Sequence, residues 1–364
     1  MLITVYKHEG NYNKQTCYVH ARGAHLPDGS LLITTQKLNV AGCEDFEGIE
    51  VMRAFDGGAR ITEPKPDFAF GRKPLTEGIF CAQCDATPMY HKASGRVILI
   101  GHTAYYDENH ASVRGVKNRG FYSVYDRENE RFLPVSPFEV SLDDTYLHSA
   151  PGSVQYYEDE EGILWIPFTH KRVDSPFYEV IVFRFALDGE RLREIGKSNI
   201  LTYPIARGAY EPSLIRARGK FILTVRNDEV GLCSTSEDGV HFEELTPWRY
   251  DDGEVLPNYN TQQHFLALGD EVYLVYTRRG ANNDHVFRHR APLFFAKIDT
   301  DRMHLMRESE QVAVPERGAR LGNFGVTNVS PDLAYLTVTE WMQPRGCEKY
   351  GSDNALFIVR FENK

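Results

Sequence analysis

The chain is poor in the features that mark several large protein classes. No run approaches the ~20 consecutive apolar residues of a membrane-spanning helix. The apolar start, MLITV, is broken by Lys7 and His8 and is too short for a secretory core. Positive charge is in deficit: 41 Lys and Arg stand against 51 Asp and Glu, a formal net charge of −10. Duplex binding asks for a basic face, so nucleic acid is not the expected partner. A local arginine cluster can still hold an acidic ligand. Cysteine is sparse, with Cys17, Cys43, Cys81, Cys84, Cys233 and Cys347 scattered along 364 residues. A chain of this length buries its own core without a disulfide framework, which points to a cytoplasmic, reduced setting. Cys81 and Cys84 make one CxxC. Zinc needs a second pair of ligands, none follows, and no metal is expected.

What the chain does have is aromatic residues and turns. Twenty Tyr and 21 Phe favour strands, and 29 Gly with 18 Pro supply many reversals. These fall into a weak repeat of a strand, a tight turn, a strongly apolar strand, and a third strand with a charged hairpin. The second strands read SLLIT, VILIG, ILWIP, KFILTV, EVYLVY and AYLTV. Nearly continuous apolar runs are expected of strands buried on both faces. The first turn of each unit falls at Gly29, Gly95, Gly162, Gly219, Gly269 and Asp332, in steps of 66, 67, 57, 50 and 63 residues. Repeats of that length with three or four strands predict propeller blades. The expectation is an all-β protein, a single six-bladed β-propeller over residues 1–364. The spare N-terminal strand MLITVYK would close the ring on the last blade and remove a sheet edge.

Two hairpins add to this. Asp56, Gly57 and Gly58 lie in AFDGGARI, and Ser236, Asp238 and Gly239 in STSEDGVHF. An Asp there accepts backbone N–H bonds within the turn, and Gly takes positive φ. Both resemble degenerate Asp-boxes, the hairpin of the sialidase-like (BNR-repeat) propeller superfamily.

In a propeller the innermost strands line the axis, so polar residues at their entries are the candidate ligand contacts. They are Arg22 and His25, Gln83 and Asp85, His148 and Ser149, Tyr210 and Glu211, Gln262, Gln263 and His264, and Arg320 and Asn323. The mixture suits a carbohydrate. Glu211 opens one strand in GAYEPSLI and Arg226 ends the next in ILTVRND, so a turn between them returns both to the same funnel. Arg278 and Arg279 repeat the design after VYLVYT, and His285, Arg288, His289 and Arg290 form a basic cluster suited to the funnel rim. The set resembles the exo-sialidase site, in which three arginines grip a substrate carboxylate, a glutamate activates a tyrosine nucleophile and an aspartate is acid/base. By order and spacing the resemblance implies Arg22, Arg226 and Arg279 as the triad, Glu211 as the activating glutamate and Asp45 as acid/base. The family's tyrosine is expected in ERGARLGNFGV, which has none. Tyr210 is then an available nucleophile, Asp85 a second carboxylate, and His264 an acid/base or substrate contact.

The function these residues imply is an exo-acting glycoside hydrolase on a sialic- or uronic-acid glycan terminus, needing no cofactor. Two readings stand beside it: a polysaccharide lyase using a funnel His and Tyr, and a non-catalytic carbohydrate-binding propeller.

Overall fold

The computed structural model describes residues 1–42, 44–142 and 145–363. Cys43 therefore lies outside the described residues. Apart from four short 3₁₀ turns, all regular structure among the described residues is strand. The strands form five hydrogen-bonded sheets in a propeller-like arrangement.

Along the chain, the first sheet runs Thr16–His25, Leu31–Asn39, Asp45–Phe55 and two short outer strands, Arg60–Ile61 and Lys65–Pro66. The next is a twelve-stranded sheet made of two antiparallel meanders. One is Ile79–His91, Arg96–Tyr106 and Asn118–Asp126; the other is Tyr146–Ala150, Leu164–Arg172 and Tyr178–Asp188. A short parallel pairing, Asn118 with His148 and Arg119 with Ser149, seams them together. Tyr210–Ala217, Lys220–Arg226 and Gly231–Ser236 carry the third sheet. His264–Leu268, Glu271–Tyr276 and Leu293–Asp299 carry the fourth. The last holds Gly325–Ser330, Leu333–Thr339 and Leu356–Glu362, and Leu2–His8 pairs antiparallel with that final strand from Leu2–Glu362 to His8–Leu356. The N-terminal strand thus covers the edge that the C-terminal strand would otherwise expose.

The glycines at 29, 95, 162, 219 and 269 make the anticipated turns, with φ between +62° and +84°. The second strands are buried residue after residue, as in Leu164–Phe168 and Phe221–Val225, because sheets pack on both of their faces. Ile98 and Ile100 meet Ile166, Phe168 and Phe183 across one interface. Val180 and Val182 meet Leu223 and Val225 across the next. Ala21, Ile33 and Met52 of the first sheet meet Tyr335 and Ile358 of the last, which closes the circuit. Truncating a large side chain in such a core costs roughly 2–5 kcal/mol.

The two hairpins differ. Asp238 accepts N–H bonds from Val240 and His241, both at 2.8 Å, and Gly239 donates to the Ser236 hydroxyl at 2.9 Å. Those N–H groups hold the exposed Asp238 carboxyl well below its ordinary pKa. A Cβ on Gly239 would stand 2.5 Å from Trp165, so the turn seats its glycine against the neighbouring sheet. At the first hairpin the carboxylate of Asp56 instead pairs with Arg60 at 3.1 Å. Its own φ of +55° turns it out of the position from which Asp238 caps its loop.

Candidate functional site

The site grows from one backbone device. Each inner strand but the last is preceded or interrupted by a non-glycine residue at positive φ: His20 at +57°, Asp85 at +51°, Ser153 at +56°, Glu211 at +47° and Asn260 at +48°. At three of them the strand register skips, between Val19 and Arg22, Cys84 and Thr87, and Tyr210 and Ser213. These are β-bulges, which re-aim a side chain at the cost of local strain. His20, Asp85, Ser153 and Glu211 all line one axial chamber of about 390 Å³. Asn260 reaches the same place through Arg226, whose Nη2 donates to its Oδ1 at 2.5 Å.

The chamber is walled by Phe46, Trp341 and Phe287 and is rich in arginine. Arg226 Nη1 donates to both oxygens of Glu211 at 2.6 Å. Burial opposes the charge of Arg226, but Glu211 and Tyr210 outweigh it and raise its pKa. Arg290 and Arg320 are 5% and 8% exposed and line the chamber without a carboxylate partner among the described residues. Arg290 donates to the Asn260 carbonyl, and Arg320 Nη2 to Gln343 Oε1 at 3.0 Å. The buried Nε of Arg226, Arg290 and Arg320 each lacks a hydrogen-bond partner. Burial and the like charges of Arg226 and Arg320 push Arg290 well below the usual arginine pKa, and burial with Arg288 brings Arg320 to about 10. Guanidinium groups stay protonated in proteins, so Arg290 and Arg320 are charges held in a desolvated, cation-rich setting that a bound anion would relieve.

Asp85 is held as an anion. Its carboxylate accepts from His102 Nε2 at 3.0 Å and from the Ser153 hydroxyl at 2.7 Å, with His20 Nε2 at 3.0 Å and Arg22 at 3.7 Å. Burial alone would raise its pKa, but His20, His102 and Arg22 overcome that and hold it well below the carboxylate range. His102 donates its other nitrogen to the Thr103 carbonyl at 2.9 Å. With both ring nitrogens donating, imidazolium is favoured, and Asp85 raises its pKa against the effect of burial.

A side chamber of about 270 Å³ opens from the first and shares Asp85, Ser153, Glu211 and Arg226 with it. His148, Tyr178 and Tyr210 line it. The Tyr210 hydroxyl donates to Asp228 at 2.6 Å and accepts from Arg207 at 2.7 Å. Burial, reinforced by Glu211, raises its pKa, so this phenol is a pinned, protonated wall. Tyr178 faces the same space with no hydrogen bond on its hydroxyl among the described residues. Burial, His102 and His170 lower His148 to about 3 and keep its ring neutral.

Of the sequence-derived set, the structure brings together Asp85, Glu211, Arg226, Tyr210, His148 and Asn323 around these chambers. Four others sit elsewhere. Arg22 lies below the chamber floor, donating to the carbonyls of Phe324 (3.3 Å) and Ala86 (3.2 Å) and to Gln262 (3.3 Å). His264 is buried beside it, accepting from the Ser213 hydroxyl at 2.7 Å and donating to the Phe324 carbonyl at 3.2 Å. Burial and Arg22 depress its pKa to about 3. Gln263 is satisfied by Thr224 and by the Thr261 carbonyl. Arg279 is exposed and its guanidinium carbon stands over the ring of Tyr259, 3.7 Å from the ring centre. Asp45 borders the site but is engaged by Arg72, with His110 at 3.5 Å. Its neighbour Glu44 lines both chambers instead and has no ion pair among the described residues. Sequence reading singled out neither Glu44, Tyr178 nor His102, and left Arg290 in a rim cluster.

No family model matches the chain, and no curated protein matches it in sequence. Solved structures match its fold. A protein of unknown function from Dyadobacter fermentans is 12% identical, with a TM-score of 0.66 over 99% of both chains. Trypanosoma rangeli sialidase is 13% identical with a TM-score of 0.65, matching 99% of this chain and 60% of its own. The NanB sialidase of Streptococcus pneumoniae is 12% identical with a TM-score of 0.65, matching 98% of this chain and 70% of its own. The fold is therefore that of a sialidase-like propeller, and the chain spans about two thirds of those sialidases' length.

Proposed function

We propose that the protein is a single six-bladed propeller acting as an exo-glycosidase on a glycan that ends in a carboxylated sugar. In the blade count, the two meanders of the twelve-stranded sheet are separate blades seamed at Asn118 and His148. The observation that carries the function is the trio Arg226, Arg290 and Arg320, each with an unpartnered buried Nε beside one chamber. A carboxylate there gains charge-assisted, often bidentate hydrogen bonds. Phe46, Trp341 and Phe287 supply apolar walls for a sugar ring. Glycoside hydrolysis needs a group to protonate the leaving oxygen and another to stabilise or attack the anomeric carbon. Glu44 is the carboxyl free of an ion pair and takes the acid's part. Glu211 and Asp85, whose carboxyl is held well below the usual carboxylate range, stabilise the developing cation, and Tyr178 is the phenol open to substrate. No cofactor enters the scheme.

The test is incubation with glycans terminating in sialic or uronic acids, read by mass spectrometry. Release of the terminal acid is expected, and Glu44→Gln should abolish it. Binding without turnover across the panel would make the protein a carbohydrate-binding propeller. One observation favours a second reaction class. His148 stands edge-on to Tyr178, with ring centres 5.7 Å apart, a histidine–tyrosine pair of the kind a polysaccharide lyase uses once a bound acid restores the basicity of the ring. A lyase would leave an unsaturated, ultraviolet-absorbing product that a hydrolase does not.

A further inference from the structure

The two chambers do not end the recess. A lateral groove of about 1210 Å³, about three times the axial chamber, continues from the side chamber and shares His102, Asn118, His148, Tyr178 and Arg207 with it. Its floor is the seam itself, since the paired residues Asn118 and His148 both line it. One wall is the segment 107–117. Asp107 fixes that wall by accepting from the backbone N–H of Asn109 (2.8 Å) and Ala111 (2.9 Å), and Val113 donates to the Tyr105 carbonyl at 2.8 Å. The opposite wall carries Lys171, whose ammonium stands 5.0 Å over the ring of Tyr178.

The charges decide what such a groove accepts. Its cations are Arg114, Lys171, Arg207 and His102, the last engaged by Asp85 at 3.0 Å, and its carboxylates are Glu44 and Asp45. Arg207 is taken by Asp228 at 2.7 Å and Asp45 by Arg72. Arg114 and Lys171 have no carboxylate partner among the described residues, so two free cations face the one unpaired carboxylate of Glu44. This local surplus occurs in a chain of net charge −10, and a lined cleft of one sign concentrates ligand of the other.

We infer that the groove binds the non-terminal units of an oligosaccharide that carries repeated negative charge, with Arg114 and Lys171 receiving its internal acidic groups. The inference rests on the reading of a terminal acid held in the axial chamber. It names the substrate class as a polyanionic chain rather than a single acidic sugar on a neutral carrier.

The experiment is calorimetric binding to the Glu44→Gln protein, with oligouronates, oligosialates and sulfated uronate-containing oligosaccharides as monomer and hexamer, and a neutral hexamer as control. At least one acidic series should bind roughly tenfold more tightly as hexamer than as monomer, the gain of a charge-assisted contact or two. That gain should shrink with added salt. The double variant Arg114→Ala with Lys171→Ala should lose the gain and keep the monomer affinity, with unchanged circular dichroism. Equal affinity for monomer and hexamer overturns the groove site while leaving the exo-glycosidase reading intact. A neutral hexamer binding as tightly as the acidic one overturns the assignment of charge. Failure of every acid at every length overturns both.

Discussion

Two tiers of polar residues occupy the axis, and they are built from different strands: Asp85, Glu211 and Arg226 stand on Ile79–His91, Tyr210–Ala217 and Lys220–Arg226, whereas Arg22 stands on Thr16–His25 and His264 opens His264–Leu268. The upper tier comprises Asp85, Glu211, Arg226, Arg290 and Arg320. The lower tier comprises Arg22, Gln262, Gln263 and His264. Both are polar, the lower buried and the upper partly so, and their bonding differs. In the lower tier the side-chain groups close on one another and on backbone: Arg22, Gln262 and His264 all donate to the single carbonyl of Phe324. In the upper tier three guanidinium groups keep an unpartnered Nε. Polarity at a strand entry therefore does not by itself identify a ligand contact. The lower tier is satisfied internally and ties the inner strands together, whereas the upper tier lines an open chamber with guanidinium groups that lack a full set of partners.

The sharpest way to separate the tiers is to compare Glu211→Gln with Arg22→Met. Glu211→Gln keeps shape and a hydrogen bond to Arg226 and removes the charge. It should lower kcat by about 10²- to 10³-fold, the usual span for losing one electrostatic contact to the transition state, with an ordinary unfolding midpoint. Near-normal turnover on the true substrate would make Glu211 structural. Arg22→Met should do the reverse. It strips partners from Ala86, Phe324, Ser153 and Gln262 and leaves Asp85 short of a cation, which costs roughly 3–5 kcal/mol in denaturant unfolding. A well-folded but inactive Arg22→Met protein would move Arg22 into the upper tier.

Arg290→Gln is the next test. Charge-assisted hydrogen bonds are worth about 1.5–3 kcal/mol, so affinity for an acidic ligand should fall about tenfold to a hundredfold. Stability should hold or rise, because a crowded buried cation is gone. An equal loss of stability would erase the distinction between tiers.

The smallest effect concerns pH. His264 and His170 sit near pKa 3 and His20 near 4, chiefly through burial, against an ordinary 6.5. A base with a lowered folded pKa binds fewer protons folded than unfolded. Its stabilisation is thus present above pH 6.5 and is lost as pH falls toward the folded value. Each such histidine adds up to about 1.4 kcal/mol per pH unit to the slope. His264→Asn should remove about one proton from the slope of stability between pH 6 and 4, measured by denaturant titration at several pH values. An unchanged slope would mean that His264 is protonated in the folded protein.

Much of the architecture was legible because it is written in spacing. The turn positions, the buried second strands and the N-terminal closing strand all follow from period and apolar pattern, which local sterics and burial impose directly. The seam between Asn118 and His148 was not legible, since two residue pairs of parallel bridging leave no pattern. At the site, Glu211 and Arg226 were found because a two-strand hairpin returns its ends to one place. Arg279 was chosen over Arg290 because sequence distance from the strand was the available guide. The loop 277–292 turns back before Arg290, and that reversal has no period. Asp45 was chosen over Glu44 because family order favours an aspartate, whereas the positive φ of Glu44, +54°, decides which carboxylate faces the chamber. A further regularity lies in the spacing of the units. Every positive-φ residue of the inner strands precedes its turn glycine by eight to ten positions, as Asp85 precedes Gly95 and Glu211 precedes Gly219. Aligning the units on their glycines picks out the chamber-lining positions.

That left-handed position also restricts the alphabet from which the site is written. An L-residue at φ near +50° clashes least when its side chain is short, polar and unbranched at Cβ, which is why Asn, Asp and His are enriched there. The five occupants are His, Asp, Ser, Glu and Asn. Valine or isoleucine would be resisted by the main chain before any ligand was consulted. Backbone sterics thus keep β-branched residues from these positions whatever the molecule is asked to recognise, and a change of specificity becomes an exchange among unbranched side chains on an unaltered frame.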